Sequence, residues 1–151
     1  METITAETER MGKVVVESVV SNGQDDVLVE RKILKPTEVR TATIRTLVDT
    51  GATMLVLPED IIQQLGLPPI RKVKTRVADG RVLERQVYGY VKLTIQGRTI
   101  TTEALSAPKG IPALLGQVPL EVLDFLVDSK NQRLIPNPES PDPEMAMYDI
   151  L

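Results

Sequence analysis

Apolar positions in this chain come in short runs separated by turn residues, a spacing that predicts strands more often than helices. Val14-Val15-Val16 and Val19-Val20 predict a buried strand over Lys13–Val20, and Asn22-Gly23 within Ser21–Gln24 predicts a tight hairpin turn after it. Val27–Leu34 is the expected partner strand, and a third strand is expected over Val39–Ile44 once Pro36 has interrupted the chain. Leu55-Val56-Leu57 predicts a short strand running into Pro58–Gly66. There, Pro in the first turn, acids near the start and Gly after Leu65 mark both ends of a short helix, with Ile61 and Leu65 four apart on its buried face. Val73–Val77 and Val82–Tyr90 flank Ala78-Asp79-Gly80-Arg81, a second hairpin signal, and Val91–Ile95 turns at Gln96-Gly97 into Thr99–Leu105. Leu114-Leu115-Gly116 closes another apolar strand. Pro119–Val127 predicts a second short helix, with Leu120, Leu123 and Phe125 inward, and Leu134-Ile135 a last strand. The sum is a mainly β fold, a partly closed barrel or sandwich carrying two short helices.

Composition sharpens that picture without changing it. A chain of 151 residues with 42% hydrophobic side chains supports one core and one domain, and a single Phe with no Trp makes that core aliphatic. Residues 1–12, rich in acids, read as a flexible leader; 13–136 form the domain; 137–151 form a Pro- and acid-rich tail, extended or disordered. Within that tail Met145–Leu151 is apolar enough to dock on a surface. A net charge of -3 and 3% aromatic residues argue against nucleic acid as a partner. No apolar run approaches the roughly 20 residues that span a bilayer, so no membrane partner is expected. With polar, acidic first residues in place of a signal peptide, the expected compartment is the cytoplasm.

The candidate chemistry follows from what the chain lacks. With no His and no Cys, Ser-His-Asp and Cys-His mechanisms have no residues to run on, and the usual zinc ligands are missing. No metal and no organic cofactor are expected. What remains for an enzyme is carboxylate chemistry on water. Attention falls on Leu47-Val48-Asp49-Thr50-Gly51-Ala52, an apolar strand that delivers an acid at its tip and then a glycine. Taken alone, Asp-Thr-Gly is equally an ordinary turn, because Asp caps backbone N–H groups and Gly accepts positive φ.

Three features in order change the balance: the Asp49-Thr50-Gly51-Ala52 strand end, a long hairpin tipped by Asp79-Gly80, and Leu114-Leu115-Gly116 leading into a helix. That order resembles the retropepsin-like aspartic proteases, in particular their small single-domain bacterial or cellular form. The helix over Leu57–Gly66 and the ending Arg133-Leu134-Ile135-Pro136-Asn137-Pro138 are similar to the bacterial form. The resemblance covers roughly Lys13 to Pro138 and implies an acid-protease half-barrel that is closed as a homodimer. Because the chain carries one acid loop, the second carboxylate would come from the partner copy, giving an Asp49/Asp49' dyad on a two-fold axis. It would hydrolyse extended peptide bonds by water attack.

By the same resemblance Asp49, Thr50 and Gly51 are the catalytic loop: the acid, a brace across the dimer and a close approach of backbone. Ala52, where pepsin-like enzymes often carry Ser, implies a less extreme acid optimum. The hairpin over Thr75–Glu84 would be a flap, and Ala52, Met54, Val56, Val77, Ala78, Asp79, Gly80, Val82 and Leu114 would contact the substrate polypeptide. Gln117-Val118-Pro119 stands where retroviral members carry a polar Arg/Asn or Asp dimer anchor. The alternative function is a dimeric peptide-binding or assembly module of the same fold with little turnover.

Overall fold

The computed structural model describes residues 13–108 and 110–150; the leader over 1–12 lies outside the described residues. Among the described residues nine strands and three short helices follow one another: β1 (Val15–Asn22), α1 (Gly23–Glu30), β2 (Thr41–Val48), β3 (Leu55–Leu57), α2 (Glu59–Leu65), β4 (Pro69–Arg76), β5 (Val82–Ile95), β6 (Arg98–Ser106), β7 (Leu114–Leu115), α3 (Gln117–Leu123), β8 (Phe125–Asp128) and β9 (Arg133–Pro136). Seven strands form one sheet in the order β1-β2-β7-β3-β6-β5-β4. β1 also pairs with β5, Val19 opposite Thr94 through Asn22 opposite Val91, and this pairing closes the sheet into a barrel with β4 left outside the ring. The long strand β5 makes this possible, since its first half pairs with β4 and its second half with both β6 and β1. The fold is mainly β. Among the described residues no helix is long and apolar enough to cross a membrane.

The barrel interior is aliphatic. Val20, Leu55, Leu57, Leu65, Leu93, Ile95, Leu115 and Leu123 are fully buried, with Phe125 the one aromatic among the core residues. Burying such side chains is the main stabilising term, about 1.5–3 kcal/mol for each Leu, Ile or Val. The buried polar groups are paired. Ser18 and Thr46 hydroxyls meet at 2.7 Å between β1 and β2, and no buried side-chain N or O among the described residues lacks a partner.

Four expectations are corrected here. Asn22-Gly23 does not make a hairpin: the Asn22 carboxamide oxygen accepts from the Asp25 N–H at 3.0 Å and so caps α1, placing a third helix where Val27–Leu34 was expected as a strand. The third strand starts later, at Thr41, because Pro36–Glu38 form a single 3-10 turn, and it runs on to Val48. In α2 Ile62 joins Leu65 as a buried residue, while Ile61, half-buried, packs against the same core as expected. The last helix spans Gln117–Leu123, since Asp124 turns left-handed (φ 60°) and Phe125 opens strand β8, which pairs with β9.

Candidate active site

Strand β2 delivers Asp49 to its position through two apolar neighbours. β7 lies beside β2 in parallel, Leu47 opposite Leu114 and Val48 opposite Leu115, and beside β3 in antiparallel, Leu55 opposite Leu115. A two-residue strand thus separates the two arms of the acid loop and fixes their spacing. The Asp49 N–H donates to the Leu115 carbonyl at 3.0 Å, and the Ala52 N–H returns to the Asp49 carbonyl at 3.0 Å. Inside the loop the Gly51 N–H donates to Asp49 Oδ1 at 2.9 Å. One carboxylate oxygen is therefore held; Oδ2 makes no hydrogen bond among the described residues, and Asp49 is half-buried. Thr50 is exposed and makes no side-chain hydrogen bond among the described residues.

Behind the loop, α3 supplies support that the sequence reading did not assign. The Gln117 N–H donates to the Ala52 carbonyl at 2.8 Å and the Val118 N–H to the Thr53 carbonyl at 3.0 Å, so the unsatisfied first-turn donors of a helix are spent on the acid loop. Gly116 permits this approach: a Cβ there would collide with the Met54 carbonyl oxygen and sit 2.7 Å from the Met54 nitrogen. The signal for it was the glycine after Leu114-Leu115, and what it contacts was beyond local pattern.

A cavity of about 460 Å³ opens beside the loop, lined by Gly51, Ala52, Thr53, Met54 and Val56, by Leu105 of β6, and by Val73, Lys74, Thr75 and Arg76 of β4. Of the expected site residues it brings together Gly51, Ala52, Met54 and Val56. Val77, Ala78, Asp79, Gly80 and Val82 lie further along the β4–β5 hairpin and do not line it. The register sets Val82 opposite Arg76, on the same face as Lys74, and leaves it 54% exposed. Leu114 lies half-buried in β7 between Leu47 and Val56. Thr53, Val73, Lys74, Thr75, Arg76 and Leu105 are not among the expected contacts; Thr53 belongs to the acid loop and Leu105 to β6, and the four from β4 reach the cavity through the long-range pairing of the hairpin, which a single sequence does not reveal.

The tip of that hairpin is a self-contained turn. The Val77 N–H donates to the Arg81 carbonyl at 2.9 Å, Gly80 holds φ 89°, and the Asp79 carboxylate takes the Arg81 backbone N–H at 3.0 Å and its guanidinium at 2.7 Å. Among the described residues no three His, Cys, Asp or Glu side chains are grouped to hold a metal ion.

A carboxylate on an Asp-Thr-Gly loop, supported by an apolar-apolar-Gly strand end and set beside a cavity that one strand of a β-hairpin lines, is the arrangement of the aspartic protease class. Residues 36–121 match the family described as "gag-polyprotein putative aspartyl protease", and the chain belongs to that family. Among solved structures it is similar to the Simian Foamy Virus (mac) protease, with 22% identity over 72% of this chain and 93% of that one and a TM-score of 0.46. A comparison with curated protein sequences finds no match.

Proposed function

We propose that the protein is an aspartic endopeptidase that works as a homodimer, with Asp49 of each copy forming one dyad on the two-fold axis. The observation that carries this reading is the acid loop: one Asp-Thr-Gly per chain, its Asp49 Oδ1 held by the Gly51 N–H, its Oδ2 without a hydrogen bond among the described residues, and Gly51 and Ala52 lining the adjacent cavity. Peptide hydrolysis by carboxylates needs one ionised group to take a proton from water and one protonated group to polarise the carbonyl. Two carboxylates about 3 Å apart share one proton and fill both roles, and a single copy supplies only one. The exposed Thr50 hydroxyl is available to brace the partner loop. Extended polypeptide would lie in the cavity between loop and hairpin, with the hairpin closing over it. The compartment that best suits a chain without cysteine is the cytoplasm.

The test is cleavage of an unfolded protein substrate between pH 4 and 7 by the intact chain and by Asp49→Ala, over a range of enzyme concentrations. Turnover should vanish in the variant and rise faster than linearly with enzyme concentration in the parent. Turnover that survives the substitution, or a protein that is active while monomeric by sedimentation at the assay concentration, rules out a shared dyad.

A further inference from the structure

The β4–β5 hairpin is cationic in an acidic chain. Between Pro69 and Tyr88 it carries Arg71, Lys72, Lys74, Arg76, Arg81 and Arg85 against Asp79 and Glu84, whereas the whole protein has a net charge of -3. Most of these cations are already engaged. Arg71 forms a two-point ion pair with Glu103 at 2.9 Å, Lys72 reaches Glu84 at 3.3 Å, Arg81 holds Asp79 at 2.7 Å, and Arg85 donates to the Ser106 carbonyl. Lys74 and Arg76 have no carboxylate within ion-pair distance among the described residues, and both line the cavity beside the acid loop.

How they line it matters. A strand that turns a face to a cavity contributes alternate residues, and one that turns its edge contributes consecutive residues. β4 contributes four in a row, Val73 to Arg76, and among the described residues it is the terminal strand of the sheet, paired only with β5. It therefore presents a free row of main-chain donors and acceptors to the cavity, a template for an added strand. A peptide added there alternates its side chains between the two faces of the hairpin. On one face stand Val73 and Thr75 with Leu83 and Arg85 opposite them; on the other stand Lys74 and Arg76 with Glu84 and Val82 opposite. The Glu84 carboxylate is directed to Lys72, so it does not neutralise Lys74 within ion-pair distance.

We propose that the cavity selects extended peptides bearing carboxylates at alternate positions, i and i+2, which pair with Lys74 and Arg76 while the intervening apolar side chain enters the cavity. The proposal rests on the reading of this cavity as the substrate cleft of a peptidase, and it adds the substrate class. Two cations at strand spacing suit an acidic peptide better than a nucleic acid, whose recognition here would lack a basic surface beyond the hairpin and aromatic stacking platforms.

Three peptides of one length and apolar content test it: glutamates at i and i+2, glutamates at i and i+1, and glutamines at i and i+2. kcat/KM is measured with the parent enzyme near pH 6, where glutamate is ionised, and Kd is measured by fluorescence anisotropy with Asp49→Asn, which reads the cleft without turnover. The alternate-acid peptide should be favoured roughly three- to tenfold over both others in each measurement, the range two exposed ion pairs supply. Lys74→Glu/Arg76→Glu should turn the preference toward lysine at i and i+2, and Lys74→Gln/Arg76→Gln should flatten it; both side chains are exposed, so neither change disturbs the core.

Equal values for the acidic and neutral peptides overturn the proposal, as does an acid preference that persists in the charge-reversed variant. Displacement of labelled peptide by a single-stranded oligonucleotide as effectively as by unlabelled acidic peptide also overturns it, in favour of nucleic acid. A clear preference in binding with no Asp49-dependent cleavage would sink the peptidase reading while supporting this one.

Discussion

A methyl group on Gly116 would land on the main chain of Met54, whereas one on Gly80 would meet nothing within 4 Å. Gly80 sits at φ 89° and Gly116 at φ -81°, so the two residues are glycine for different reasons: one for conformation, one for space. Gly80→Ala should therefore cost about 1–2 kcal/mol of backbone strain at an exposed tip. Gly116→Ala must displace the backbone of the acid loop, and an overpacking cost of about 1–3 kcal/mol or more is expected. Urea unfolding of the two variants checks the magnitudes, and proteolytic activity should be lost in Gly116→Ala out of proportion to its stability. The Asp-Thr-Gly loop and the Leu-Leu-Gly strand end were legible in the sequence because each is a local pattern whose chemistry is written in adjacent residues. Lys74 and Arg76 were not, since their place beside Gly51 depends on a hairpin folding back across the sheet.

Helices and strands followed the sequence where one signal dominated and departed from it where a tertiary contact outweighed the local one. α2 has both ends marked and forms nearly where its residues predict. α1 forms at an Asn-Gly pair that favours a hairpin, because Asn22 is buried, caps the helix and donates its Nδ2 to the Leu65 carbonyl at 2.8 Å. Asp25 in its first turn accepts both the side chain of Arg40, at 2.9 Å, and its backbone N–H at 3.1 Å. The Arg40 guanidinium is the main cause that lowers the Asp25 carboxyl below its ordinary 3.8. A depressed carboxylate stabilises the fold fully above its unfolded value and loses that contribution as pH falls through the folded one. Asp25→Asn should accordingly lower stability by about 1–3 kcal/mol at pH 7 and by less below pH 3. Denaturant midpoints of parent and variant at the two pH values check it.

The tail is the second element that local pattern misread in part, since Pro-rich acidic segments are usually left in solvent. Here it runs through turns and bends from Asn137 to Met145 and is tied to the body. Asp124 accepts from the Ser140 hydroxyl at 2.7 Å, the Asn137 amide at 3.0 Å and the Met147 N–H at 3.1 Å, and these bonds, Ser140 first, lower its carboxyl below 3.8. Arg98, 2% exposed, spans the joint: it donates to the Leu123 and Asp124 carbonyls at 2.8 and 2.6 Å and to the Pro143 carbonyl at 2.8 Å, and stacks over Phe125. Ending the chain after Pro138 leaves Arg98 and Asp124 with donors and acceptors unmet. A loss of about 2–4 kcal/mol is expected in thermal or urea unfolding, from several buried or half-buried hydrogen bonds. The same sign holds as for Asp25: acidification through the depressed Asp124 value should loosen the tail, seen as a smaller protection factor at the Met147 amide after correction for the intrinsic exchange rate.

At the scale of the whole molecule, closure of β1 on β5 joins the first described strand to the middle of the chain and makes the barrel one cooperative unit. If the working form is a dimer with its site on the two-fold axis, folding and association are linked. Raising protein concentration should raise the melting temperature, and Asp49→Ala should keep that dependence because the substitution removes a carboxylate and no core contact. A melting temperature that does not move with concentration would place the dimer outside the folding equilibrium.

The position of β7 has a consequence for biosynthesis. A ribosome makes the chain from the amino end, so Asp49 is in place, and most of the barrel's strands are made, well before Leu114 and Leu115 emerge. Until they do, β2 and β3 have no common neighbour, and the loop that carries the acid has neither its strand support nor the two α3 donors behind it. A nascent or prematurely ended chain thus carries the acid without the scaffold that aims it. If the loop is catalytic as proposed, competence belongs only to molecules that have delivered β7 and α3, and is timed by the order in which the strands are made.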